Sequence, residues 1–275
     1  MGARAAKTFW HLLILLVIYQ KIGYSDFSQV ALTETGWIGD LIFNNECSRE
    51  ESCLVAWNEG EDFLSLGIGH FIWYPKLKGG PFHESFPELL LFLETKGVEL
   101  PAWIRALPDK QAPWANREEF MNDRNGDNVK TLISFLAETK DLQAEFMLER
   151  FKASIPKILS IVPKSEKIEI QKKISSLTDS QNGLYTLIDY VNFNGEGTLE
   201  SERYQNQGWG LLQVLQEMKI PNAEKDAIGE FVRAAEAILD RRVTNSPPER
   251  NEERWLAGWK IRVHTYLSVQ HHVAQ

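Results

Sequence analysis

The sequence predicts a mainly α protein (α+β) with one small β-element near its start, and three observations lead there. After Pro81, apolar residues recur at helical spacing over most of the chain. Residues 54–74 depart from that spacing, mixing glycines, aromatic residues and short apolar runs, and read as short strands joined by tight turns. Of the 275 residues, 43% are hydrophobic, which supplies a real core and argues against disorder for most of the chain.

The N-terminus comes first. Arg4 and Lys7 make a short basic start, and Phe9 to Tyr19 is apolar except for His11. That run falls short of the about 20 residues a membrane span needs and fits the apolar region of a secretory signal peptide. Gly23 and Ser25 have the spacing of a cleavage site, so residues 1–25 are expected to be removed; an uncleaved anchor is the competing reading. No cysteine follows the apolar run, so a lipid anchor is not indicated, and no later stretch reads as a membrane span. The expected location is periplasmic or secreted, with residues 26–275 as a single domain and no stable membrane insertion after cleavage.

Cleavage takes away three basic residues and no acid, so the mature chain is more acidic than the whole chain at −8. This argues against nucleic acid as a partner, which calls for a basic surface. It also gives no electrostatic attraction to anionic wall polymers. Cys47 and Cys53 are the only two cysteines. In an oxidising compartment they are expected to form a disulfide closing a small loop, with two free thiols as the alternative. Two cysteines without nearby histidines at ligand spacing do not indicate a metal site. Neither a phosphate loop nor a dinucleotide fingerprint occurs, so no cofactor is expected.

The elements follow in order. Residues 26–36 read as a flexible start. Trp37, Ile38, Leu41 and Ile42 give Trp37 to Asn45 a helical stripe. Residues 46–53 are polar and bracketed by the cysteines. Glu84 to Lys96 is an amphipathic helix ended by Gly97, Pro101 to Leu107 a short helix, and Arg117 to Met121 another. Val129 to Leu159 reads as one long helix whose buried stripe is Leu132, Phe135, Leu142, Phe146, Leu148 and Phe151. Between these two, Asp123 to Asn128 lacks the spacing and closing Glu of a calcium loop and reads as an exposed turn. Ile168 to Ser176 and Tyr185 to Phe193 are apolar, and Asn194 to Thr198 is a glycine-marked loop. Trp209 to Met218 and Ala223 to Val243 are helical, Asn245 to Pro248 breaks the chain, and a last helix runs from about Asn251 to Tyr266. No internal repeat is visible.

Glycoside hydrolysis needs a carboxylic acid that can donate a proton and a second carboxylate or positioned water across the sugar. The stretch Glu46 to His70 contains such groups. It resembles the phage-type lysozymes, in which a helix ends on a catalytic Glu and a β-hairpin with an Asp and a Thr closes on a Gly-x-Gly-His turn. Gly67-Ile68-Gly69-His70 matches that turn, Ser65 stands at the Thr, Glu59 at the Asp, and Ala56-Trp57 where Ala-Tyr is frequent. The resemblance implies a lysozyme-like helical domain with a β-hairpin, a large helical insertion at about 75–183, and water-positioning or cation-stabilising roles for Ser65 and Glu59. A gapless match puts the proton donor at Glu50. That residue lies in a polar stretch where its carboxyl would be hydrated, whereas Glu46 lies four residues after Ile42 on an apolar helix face. Glu46 is therefore the preferred acid. Glu61 and Asp62 are alternatives for the second carboxylate, and His70 for contact with the hairpin or substrate.

A second segment, Tyr185 to Gly197, resembles the later helix of that family, which ends in Phe-Asn-x-Gly and lines the cleft. By that resemblance Asn192 and Asn194 bond sugar hydroxyls, while Tyr190, Tyr204 and Trp209 stack on sugar faces. Arg241-Arg242-Val243 resembles the family's basic closing segment. The implied function is an exported glycosidase or lytic transglycosylase acting on peptidoglycan. Chitosan-cleaving enzymes share this architecture, so a related amino-sugar polymer stands beside peptidoglycan as substrate. The alternative is a non-catalytic wall-binding or envelope scaffold protein that keeps the fold.

Overall fold

The computed structural model describes residues 35–268 apart from Leu77, Pro81 and 221–225, and these fall into one compact unit. The expected signal peptide and the stretch 26–34 lie outside the described residues. The protein is mainly α with a small antiparallel sheet. Among the described residues, no helix is long and apolar enough to cross a membrane.

Helix α1 (Thr35–Cys47) comes first, then a sheet of β1 (Val55–Ala56), β2 (Leu64–Leu66) and β3 (Phe71–Trp73). The sheet order is β1-β2-β3, antiparallel throughout, with Ala56 opposite Ser65 and Leu66 opposite Phe71. Five helices follow: α2 (Phe86–Thr95), α3 (Ala102–Arg105), α4 (Arg117–Asn122), α5 (Asp127–Glu138) and α6 (Lys140–Ile161). Then come α7 (Lys164–Thr178) and α8 (Gln181–Asn194). A two-stranded hairpin, β4 (Arg203–Tyr204) and β5 (Gln207–Gly208), precedes α9 (Leu211–Glu217), α10 (Ala227–Asn245) and α11 (Glu253–Thr265).

Helix α6 is the axis of the packing, with α1, α2 and α8 laid against it, while α10 carries α9 and α11. Gly39 lets α1 approach α6 closely: a Cβ there would lie 3.2 Å from the Cβ of Ala144. The β-sheet side of the core is aromatic. Trp73 is fully buried and packs on Phe86, Trp103 and Trp114 with ring centroids 4.9–6.4 Å apart.

Two elements differ from expectation. The long helix expected over Val129 to Leu159 is two, α5 and α6, parted at Thr139. The Thr139 hydroxyl donates to the Phe135 carbonyl, and the buried Gln143 amide donates to the Leu136 carbonyl at 2.7 Å. Leu136 O is the acceptor that a continuous helix would offer to Lys140, so the side chain substitutes for the lost backbone bond. The β4–β5 hairpin was not expected. Gln205 and Asn206 both take positive φ (49° and 62°), the geometry of a tight two-residue hairpin turn.

Gln143 also fixes the turn that closes the first sheet. Its Oε1 accepts from Ile68 N at 2.9 Å. Gly67 has φ +67°, and a Cβ there would run into the same Gln143 oxygen, so glycine is required on both counts. Replacing Gln143 with Ala strands the Ile68 N–H and the Leu136 carbonyl inside the protein. We expect a loss of about 2–4 kcal/mol in urea unfolding, well above the ~0.5 kcal/mol of an ordinary surface change.

Candidate functional site

Ile38 and Ile42 are fully buried on α1, and Glu46, one further turn along, comes out at the edge of that face with its side chain 13% exposed. The helix stops immediately afterwards because Ser48 and Arg49 both adopt left-handed backbone (φ 49° and 65°). The chain then folds back, and a Cys47–Cys53 disulfide closes the loop with the Cα atoms 5.4 Å apart. Glu50 lies in that loop and is exposed. The two candidate acids are thus separated by their surroundings: Glu46 faces other protein groups, and Glu50 faces water.

Two groups meet the Glu46 carboxylate. One is the Arg262 guanidinium, in direct ion-pair contact through Nη1, and the other is His70 Nδ1 at 3.5 Å. Arg262 comes from α11. Its Nε and Nη2 donate to the two oxygens of buried Asp189 on α8, at 3.0 and 2.7 Å. The Tyr266 hydroxyl donates to the same carboxylate at 2.5 Å. Burial pulls the Arg262 pKa down, but Asp189 and Glu46 outweigh it and raise it well above its ordinary value. Burial, then the Asp189 charge, likewise pushes Tyr266 far up, so its hydroxyl stays a donor. The Arg262 guanidinium also stacks 4.4 Å from the Phe193 ring centroid.

His70 ends the Gly67–His70 turn with φ +48°. Three anchors set that turn: Gly67 N donates to Leu54 O, Gln143 accepts from Ile68 N, and Asn192 Nδ2 donates to Gly69 O at 2.8 Å. Among the described residues, His70 Nε2 is buried without a hydrogen-bond partner. A ring nitrogen of His70 and the two cysteine sulfurs lie within 4.8 Å of one another, the one grouping with metal-ligand spacing among the described residues. Because the sulfurs are bonded to each other, they offer no thiolate to a metal.

The hairpin between β1 and β2 supplies a second carboxyl. Gly60, at φ +82°, turns the loop so that Glu61 folds back over β2. Glu61 Oε2 accepts from Asn58 Nδ2 at 3.0 Å and from the Ser65 hydroxyl at 3.4 Å, while the Trp57 indole N–H binds the Glu61 carbonyl. Burial raises the Glu61 pKa above the ordinary carboxyl value, opposed by Asn58, the nearby His70 and Ser65. Glu59, the hairpin acid given by gapless spacing, is exposed and takes no part in this cluster. The structure therefore joins Ser65 to Glu61, the alternative acid, rather than to Glu59. Asp62 is exposed too.

The remaining expected sugar-binding residues form a supporting wall. Tyr190 is fully buried, with its hydroxyl on the Trp209 carbonyl at 3.0 Å, so neither ring face is open to a ligand. Trp209 is 4% exposed, sandwiched between Tyr204 at 4.5 Å and the Arg242 guanidinium at 4.4 Å. Tyr204 is tied through its hydroxyl to Glu252 at 2.8 Å. Asn192 spends its amide on Gly69 and Arg150, and Asn194 accepts from Arg242 at 3.0 Å. Arg242, from the expected basic closing segment, is held by Glu252 rather than reaching Glu46. The cation that does so, Arg262, was missed. Its signal is a charge on the buried stripe of the last helix, four residues before Tyr266, where a charge calls for a buried partner.

Comparison with protein-family models, with curated proteins and with solved structures gave no significant match.

Burial of the Glu61 carboxyl makes stability depend on pH. The folded protein binds the Glu61 proton more tightly than the unfolded chain does. Its contribution is therefore favourable below the unfolded pKa and is lost as pH rises through the folded value. Glu61→Gln should accordingly raise the melting temperature relative to wild type at pH 7, and this advantage should shrink towards pH 4. A constant difference across that range would contradict the burial of this carboxyl.

Proposed function

We propose that the protein is an exported glycosidase or lytic transglycosylase that cleaves peptidoglycan or a related amino-sugar polymer. The observation that carries this reading is the convergence of two carboxyls from different elements on one histidine. Glu46, at the end of α1, lies against His70, and Glu61, on the hairpin with Ser65, feels the same imidazole. Paired carboxyls with unlike surroundings suit acid–base work at a glycosidic bond.

In this reading Glu46 leaves the Arg262 ion pair and takes up a proton from solvent as the site loads, then donates it to the glycosidic oxygen, and the bond from the anomeric carbon to that oxygen breaks. Positive charge develops on the sugar ring, facing the hairpin. In a hydrolase, Glu61 and Ser65 hold the water that adds to the anomeric carbon, and Glu61 takes up its proton. In a transglycosylase, the sugar's own hydroxyl attacks the anomeric carbon instead, and Glu46, ionised by the first step, takes up its proton. Arg262 keeps Asp189 as a second partner throughout, so Glu46 can leave the ion pair without stranding the arginine. The Cys47–Cys53 disulfide supports an oxidising compartment, in keeping with export by the N-terminal apolar segment.

A second reading is a non-catalytic wall-binding protein. The direct Glu46–Arg262 ion pair favours it, because a carboxylate committed to an arginine also serves structure alone. Muropeptide release from isolated sacculi by the purified mature protein separates the two. Wild type should release fragments, and Glu46→Gln should lose at least ~100-fold in rate, the lower end of general-acid contributions, while still unfolding in one cooperative transition. Inactive wild type that still sediments with sacculi would select the binding protein. Loss in Glu50→Gln but not in Glu46→Gln would move the acid to Glu50. Anhydro ends in the products identify the transglycosylase outcome.

A further inference from the structure

Helix α11 carries Trp255, Trp259 and Arg262 at positions i, i+4 and i+7, a spacing that puts them on one helix face. Arg262 holds Glu46, and contacts run back along the helix from there. Phe193, beneath the Arg262 guanidinium, meets Trp259 with centroids 6.3 Å apart, and Trp259 lies beside Trp255 at 6.0 Å with 34° between the planes. Arg254 stacks over Trp255 at 4.2 Å and reaches the hairpin, where a Cβ on Gly60 would lie 3.6 Å from its Nη2. The stripe thus extends from the candidate acid to the hairpin tip next to Glu61. At 1.5 Å rise per residue, Arg262 and Trp255 are about 10 Å apart along the axis.

Trp259 is fixed in place, with the Arg242 guanidinium 4.5 Å from its ring and Glu252 fixing that arginine in turn. Trp255 leans on it yet is 39% exposed, and the other exposed large apolar side chains of the described residues are aliphatic or Met. Trp255 is exposed to water where the rings of the core are covered, and the exposed Arg254 side chain that lies over it is the group a stacking ligand would displace. Its immediate neighbours, Glu253, Arg254, Ala257 and Gly258, are charged or small and exposed. That is one flat ring in a polar rim, far less apolar surface than a protein partner uses. It suits a sugar ring, whose C–H face packs on an aromatic face while its hydroxyls meet the polar rim.

We propose that Trp255, backed by Trp259, is the stacking platform of a saccharide subsite between α11 and the hairpin. The identity of the ligand rests on the glycosidase reading of Glu46; the geometry of the platform does not. The test is calorimetric titration with the β-1,4-linked tetramer of N-acetylglucosamine in a Glu46→Gln background, together with sacculus cleavage by Trp255→Ala in the otherwise native protein. Trp255→Ala should weaken tetramer binding about tenfold, and Trp255→Phe should keep most of it, with melting temperatures unchanged. Equal binding with and without the Trp255 ring overturns the platform, and so does absence of tetramer binding at millimolar concentration. Trp255-dependent binding by a protein that cleaves no sacculi upholds the platform and removes the glycosidase reading. Cleavage of sacculi that is indifferent to Trp255→Ala does the reverse.

Discussion

An arginine shared between two acids, one of them fully buried, is the constraint on which the arrangement depends. Asp189 sits inside α8, where an unpaired carboxylate would be very costly. Arg262 answers it with two parallel N–H···O bonds, the geometry that the planar guanidinium favours. Those bonds fix the guanidinium in orientation as well as in place. Its remaining amino group then points at the end of α1, where the helix dipole and Glu46 both welcome a cation. Helix α8, the last helix α11 and the first described helix α1 are thereby tied at one point.

The same layer sets the other half of the site. Asn192, three residues after Asp189 on α8, bonds the Gly69 carbonyl, and Gln143 on α6 bonds the Ile68 N–H. Both bonds fix the glycine turn that presents His70. Residues expected to touch a ligand thus act one step back, as Asn192 does. Tyr190, Tyr204 and Trp209 behave similarly, filling the space behind Arg242 and Glu252. The exposed ring of the region, Trp255, stands on the helix that carries Arg262.

What the sequence made legible follows from the range of the forces involved. The preference for Glu46 over Glu50 rested on helical periodicity, a local signal, and the structure separates the two by burial as that signal implies. The mainly α class and the short strands of residues 54–74 were legible for the same reason. The exchange of Glu59 for Glu61 was not, because it turns on the positive φ of Gly60 and on how the loop folds over β2. The break at Thr139 was hidden because a glutamine side chain replaces a backbone bond there. Arg262 pairs across 73 residues with Asp189 and farther still with Glu46, and no local pattern announces such a pair. Aromatic residues at helical spacing give no sign of whether their faces are covered, so Tyr190 is buried against expectation while Trp255, which the sequence did not single out, is exposed.

The most direct test of this account is a double-mutant cycle on Asp189 and Arg262, read by urea unfolding. Arg262→Met leaves the Asp189 carboxylate buried without its cation and should cost about 3–5 kcal/mol, whereas Asp189→Asn leaves Arg262 its Glu46 partner and should cost less. The double variant should be less destabilised than the sum of the two single ones, since the buried Asp189 charge is gone and Glu46, at the edge of the protein, is the group left without its arginine. Single losses below ~1 kcal/mol, as for an exposed ion pair, with additive effects in the double variant, would contradict the claim that this pair organises the site.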